Sequence, residues 1–188
     1  MSNQLYQSQI YKSSEKALQS FLVCILTNIT GDDCSDLTLY ALKEKYKHVT
    51  LIANSIGAYF SVASGIDKYL DRAYFISPVA DMERLILDML SSAGATEDEL
   101  KEKGVIHTGF GEDLSWKYLS YVREHPAVWN VPTDILYGSR DVLIRRESVE
   151  GFARRTGARL TVFEGGEHWF HTPEQMSFLD GWIRNDSY

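Results

Sequence analysis

The sequence predicts an α/β protein, a mainly parallel sheet clothed by helices on both faces to give a three-layer sandwich. Three observations carry that expectation. Segments 21–27, 49–53, 73–77, 133–137 and 159–163 are short and continuously apolar or β-branched, which suits buried strands and not amphipathic helices. Helical patterns lie between them, and strands alternating with helices imply parallel pairing with both faces covered. The length of 188 residues, with 44% hydrophobic and 24% charged side chains, suits one domain with a sizeable core.

Taken in order, residues 36–46 form the first helical pattern, and 57–64 follow the second strand directly and close at Gly65 as a helix would. After Pro78 the alternation stops, and about fifty residues pass before the next strand, far more than an ordinary connection needs. Residues 79–131 are therefore expected to be an insertion within the single domain 1–188, folded as a small helical cap over the sheet edge. Met82, Leu85, Ile86, Met89 and Leu90 fall on one helical face behind Asp81 as N-cap, with Gly94 at the end. Thr96 and Glu99 spell a capping box for a second helix ending before Gly104, and residues 115–124 make a third, stopped by Pro126. A last helix is marked by Thr172, Pro173 and Gln175, followed by Met176, Leu179 and Ile183 on one face.

Composition excludes several functions. A formal charge of −7 with no dense Lys/Arg stretch supplies no concentrated positive field, so neither nucleic acid nor an anionic membrane surface is expected as partner. The longest apolar run, 21–26, is far short of the ~20 residues of a membrane span. The first residues lack the pattern of a secretory signal, which makes cytoplasmic the expected location. Cys24 and Cys34 cannot build a disulfide framework, and no Cys/His spacing suggests zinc; no metal or organic cofactor is expected. A small molecule is the partner left open.

The sharpest local feature is Leu51-Ile52-Ala53-Asn54-Ser55-Ile56-Gly57-Ala58, a strand running into a serine and straight on into a helix. Such a turn takes a strained backbone that lifts the hydroxyl clear of the sheet, and crowding is expected to demand small residues at Ala53 and Gly57. The helix aims free N–H groups and its positive dipole end at the site, so the N–H of Ile56 is a candidate oxyanion donor. On this motif alone, Ser55 as a plain helix N-cap explains the residues equally well. A serine hydroxyl needs a base, and the base an orienting carboxylate. Strand 133–137 runs into Gly138-Ser139-Arg140-Asp141, and strand 159–163 into Glu164-Gly165-Gly166-Glu167-His168. In a parallel sheet both loops open on the same edge as the serine turn.

With these residues in the order Ser, Asp, His, the chain resembles the α/β-hydrolase superfamily over about residues 21–183. The resemblance implies Ser55 as nucleophile, His168 as general base and then acid, and Asp141 as the carboxylate orienting it. It implies a serine hydrolase cleaving small-molecule acyl esters, a carboxylesterase, without a cofactor; thioesters or amides would use the same machinery. Two departures stand out. Ala53 and Asn54 replace the family's usual glycine and frequent histidine, and no glycine-rich motif announces a second oxyanion donor. Asn28, or Ile29 beside it, is the candidate by position; losing such a donor costs ~3 kcal/mol. That gap motivates the rivals, a non-catalytic small-molecule-binding protein on the same fold or an interaction protein whose acidic surface meets a basic partner.

His171 competes with His168 as base but fits the start of the last helix better, and His48, His107 and His125 read as surface or cap residues. Trp169, Met89 and Trp116 are the candidate substrate-binding residues, although apolar stripes such as that of Met89 are more often core. Only 54 residues precede Ser55, which predicts a reduced sheet of five or six strands, with 5–11 as an added edge strand. The sequence is silent on oligomeric state.

Overall fold

A computed structural model of the chain describes residues 21–23 and 34–185. The expected edge strand at 5–11, Asn28 and Ile29 lie outside the described residues. In chain order the elements are β1 (Phe21–Val23), α1 (Cys34–Lys45), β2 (Thr50–Asn54), α2 (Ile56–Ala63), a 3₁₀ turn (Ile66–Tyr69) and β3 (Arg72–Ile76). Then come α3 (Met82–Ser92), α4 (Glu97–Lys103), β4 (Val105–His107), β5 (Asp113–Ser115) and α5 (Trp116–Glu124). The chain closes with β6 (Thr133–Gly138), α6 (Arg146–Thr156), β7 (Arg159–Phe163) and α7 (Pro173–Asn185).

The sheet has the order β1-β2-β3-β6-β7, and every neighbouring pair is parallel. Period-two alternation divides its side chains. Leu51, Ala53, Ala73, Phe75, Ile135 and Tyr137 face one core, shared with Leu39 of α1, Ala58 and Val62 of α2, and Val149 and Phe152 of α6. Tyr74, Ile76 and Leu136 face the other way, against Phe170 and Trp182 of the α7 side, with the Tyr74 and Trp182 rings edge to face at 5.4 Å. All six residues of β6 are buried, as befits a strand covered on both faces. The parallel sheet and its three layers are those the sequence predicts.

Several local expectations hold at atomic detail. Asp81 accepts the Arg84 N–H at 2.9 Å, and Thr96 and Glu99 complete a reciprocal capping box. The box expected at Thr172 forms in half: Thr172 Oγ1 accepts the Gln175 N–H at 3.3 Å, while Gln175 Oε1 accepts the N–H of His171, one residue ahead of Thr172, at 3.1 Å. The 3₁₀ turn, the hairpin β4–β5 and helix α6 are additions. The hairpin β4–β5 turns through Thr108, whose Oγ1 donates to the Glu112 carbonyl at 2.6 Å, and its three-residue strands are too short to show a period. Helix α6 hides its Val149, Phe152 and Ala153 stripe among Arg146, Arg154 and Arg155.

The stretch between β3 and β6 is anchored in the core beside the sheet. Met82, Ile86 and Leu90 of α3, Leu100, Leu114 and Leu119 share one buried cluster with the strands. Arg145, just before α6, grips Asp88 of α3 through both carboxylate oxygens, with Nη2 2.7 Å from Oδ1. The Arg145 guanidinium holds the Asp88 carboxyl below its usual range. A folded value below the unfolded one means that this contact stabilises the fold above about pH 4 and is lost as pH falls through the folded value. Asp88→Asn is therefore expected to lower the unfolding midpoint near neutrality, by a small amount because the Arg145 side chain is half-exposed, and to converge with wild type in acid, which flattens the acid limb of a plot of midpoint against pH.

Candidate active site

The turn after β2 forces Ser55 to φ 51° and ψ −123°, a left-handed conformation that costs a non-glycine residue ~1–3 kcal/mol. Three backbone bonds hold it there. The Ser55 N–H donates to the Ile76 carbonyl at 2.9 Å, and its carbonyl accepts from Val79 at 3.0 Å and Ala58 at 3.2 Å. Ser55 makes no side-chain cap bond to α2, so the N-cap explanation fails and the hydroxyl is free for another partner. Ile56 is the first residue of α2, where helical geometry leaves the N–H without an intrahelical acceptor. The expected demand for a small residue at Gly57 does not extend to glycine itself: a Cβ built there meets nothing within 4 Å. Gly57→Ala is expected to keep any activity and to raise stability by about 0.5–1 kcal/mol, the helix-interior gain of alanine over glycine, read in a thermal melt.

Crowding is real at the other two loops. A Cβ on Gly138 would stand 2.5 Å from the carbonyl carbon and oxygen of Gly166, and one on Gly166 would stand 3.1 Å from the Gly138 Cα. The end of β6 and the turn after β7 thus pack backbone against backbone. Arg140 N–H donates to the Gly166 carbonyl at 2.8 Å, Ser139 N–H to Phe163 at 3.0 Å, and Gly165 N–H to the Ser139 hydroxyl at 2.8 Å. This contact delivers Asp141 and His168 to each other.

The result is a continuous hydrogen-bonded chain. His168 Nε2 lies 2.9 Å from Ser55 Oγ, and His168 Nδ1 lies 2.7 Å from Asp141 Oδ2. The His168 side chain is 4% exposed and that of Asp141 fully buried. A carboxylate only accepts, so Nδ1 carries the proton of the lower bond and Nε2 is left as acceptor for the serine hydroxyl. Asp141 Oδ1 takes the N–H groups of Leu143 and Ile144, each at 2.9 Å. Tyr137 closes this loop by donating its hydroxyl to the Ile144 carbonyl at 2.7 Å. Burial, and after it the Asp141 charge, push the Tyr137 hydroxyl up to about 12, so it stays a donor.

Ser55, Asp141 and His168 are thus brought together, with Ile56 and Trp169 beside them in the chain; Trp169 sets its ring edge-on to His168 at 4.7 Å. His171 is turned away, its Nδ1 3.4 Å from Glu167, and His48, His107 and His125 are exposed. Met89 packs against the core on the α3 side, and Trp116 opens α5 with the Lys101 ammonium over its ring. Gly138, Gly166 and Tyr137 are supporting residues that motif reading passes over; two glycines flanking the loops that carry the acid and the imidazole were the available signal. Among the described residues no helix is long and apolar enough to cross a membrane.

No family model matches the chain, and no curated protein sequence matches it. Solved structures do. Alpha/beta hydrolase domain-containing protein 10 from mouse superposes with a TM-score of 0.61 at 15% identity, covering 81% of this chain and 69% of that one. Est1E from Butyrivibrio proteoclasticus, with ferulic acid bound, gives 0.59 at 14% identity over 81% of this chain and 67% of that one. The chain spans about two thirds of the length of each.

Proposed function

Since this chain has the α/β-hydrolase fold, we propose that it is a serine hydrolase acting on carboxylic esters. The observation that carries this reading is the Ser55–His168–Asp141 chain, two hydrogen bonds of 2.9 and 2.7 Å meeting on one buried imidazole. Ser55 Oγ attacks the ester carbonyl as its proton passes to His168 Nε2, and the imidazolium that forms is stabilised by Asp141. The carbonyl oxygen becomes an oxyanion, for which the Ile56 N–H is one donor and Asn28 the candidate second. His168 then hands its proton to the departing alkoxide. Water repeats the sequence on the acyl-serine: His168 takes its proton, the acid is released, and Ser55 recovers its hydrogen. Residues 79–131 act as the cap over this edge. Est1E, a protein of this fold seen with ferulic acid bound, agrees with a carboxylic acid as product.

A fluorophosphonate probe tests the proposal. Wild type is expected to be labelled covalently at Ser55 and Ser55→Ala not at all, with both melting alike. Absence of labelling on a folded wild type would sink the reading.

A further inference from the structure

Each of the three linked residues is followed in the chain by apolar side chains that the fold leaves outside. Ile56 after Ser55 is 41% exposed, Val142 and Leu143 after Asp141 are 92% and 50%, and Trp169 after His168 is 57%. Scattered surface apolar residues need no explanation. These four share a neighbourhood in the backbone: Ile56, Val142 and Trp169 each follow one of three hydrogen-bonded residues by a single Cα–Cα step of about 3.8 Å, and Leu143 lies one step further.

Local bonding keeps them out of the core. Asp141 Oδ1 binds the Leu143 and Ile144 N–H groups, and Tyr137 holds the Ile144 carbonyl, so Ile144 is buried while its two predecessors are turned to solvent. Phe170 does the same on the other loop. It is 1% exposed among Tyr74, Ile76 and Leu136, takes a φ of 44°, and leaves Trp169 outside. Charge does not select a ligand here, because the residues preceding the acid and the base, Arg140 and Glu167, are exposed and of opposite sign. A cavity of about 330 Å³ between α2 and α6, floored by Val62, Phe75 and Phe152, is lined by none of Ser55, Asp141 or His168.

Building on the serine-hydrolase reading, we infer that Ile56, Val142, Leu143 and Trp169 form an open apolar shelf that takes the alkyl or aryl group of an uncharged ester, laid along the surface and not enclosed in the cavity. A methylene half-removed from water on such a shelf gains about twofold in affinity, against roughly fourfold for full burial.

The test uses the full chain as Ser55→Ala, which cannot turn over, titrated calorimetrically with methyl butanoate, hexanoate and octanoate. Affinity is expected to rise about sixteenfold across the series, four methylenes at about twofold each. Adding Val142→Ser and Leu143→Ser, both on exposed side chains, is expected to flatten the rise to under about threefold at an unchanged melting temperature. Affinity independent of chain length, or a rise that survives the double replacement, overturns the inference. So does a double replacement that splits a dimer while leaving ester affinity intact, which would give the shelf to a second copy. Binding is read without catalysis, so this result stands apart from the labelling of Ser55.

Discussion

Asp141→Asn is expected to lower kcat/KM for an ester by on the order of 10⁴-fold while leaving the fold intact. The asparagine oxygen can go on accepting the N–H groups of Leu143 and Ile144, now bound by Oδ1 at 2.9 Å, so the loop keeps its shape. Its amide nitrogen then faces His168 Nδ1, where Asp141 Oδ2 stands at 2.7 Å. Two donors cannot share that bond. The imidazole must present a bare Nδ1 and carry its proton on Nε2, the nitrogen that has to receive the serine hydrogen. Steady-state kinetics beside a thermal melt check this, and more than a tenth of wild-type activity would remove Asp141 from the role. Asp141→Ala is a harsher change, since it also strands two backbone donors at about 1–3 kcal/mol each.

Gly138→Ala is the second large effect. The new methyl would sit 2.5 Å from the Gly166 backbone and 2.9 Å from the Glu167 carbonyl, and backbone cannot swing aside as a side-chain tip can. Parting the loops by roughly 1 Å moves His168 from both partners at once, and misplacement of that size costs about 10²-fold in rate. The melting temperature is expected to fall as well, because the Arg140 bond to the Gly166 carbonyl is stretched. Gly57→Ala, with open space at its Cβ, is the control. Equal activity in the two variants would show that the glycine contact does not position the imidazole.

The strands of the parallel sheet, the serine turn and the two loops were legible because each is written locally. Strands covered on both faces are continuous apolar runs, and the loops are punctuated by Gly138, Gly165 and Gly166. What was illegible depends on residues far apart in sequence. Nothing near Gly57 says that it has room, and nothing near Gly138 says that a loop 28 residues on will press against it. Helix α6 was masked by four arginines at 145, 146, 154 and 155, whose charge dilutes the buried stripe at Val149, Phe152 and Ala153. Met89 and Trp116 illustrate the opposite hazard. An apolar stripe reports burial and not what it is buried against, and theirs faces the packed side of α3 and α5.

Ser55 also carries an implication for the order of events as the chain matures. Its left-handed backbone is secured by Ile76 and Val79, both synthesised after it, and its proposed base and acid, His168 and Asp141, come later still, from beyond β7 and β6. Without β3 beside β2, the bonds from Ile76 and Val79 that hold this strained conformation are absent. A nascent or stalled chain therefore holds no activated hydroxyl to be acylated at random. The proposed reactivity thus depends on contacts from four separate stretches of chain, and the strain at Ser55 is held only where they meet.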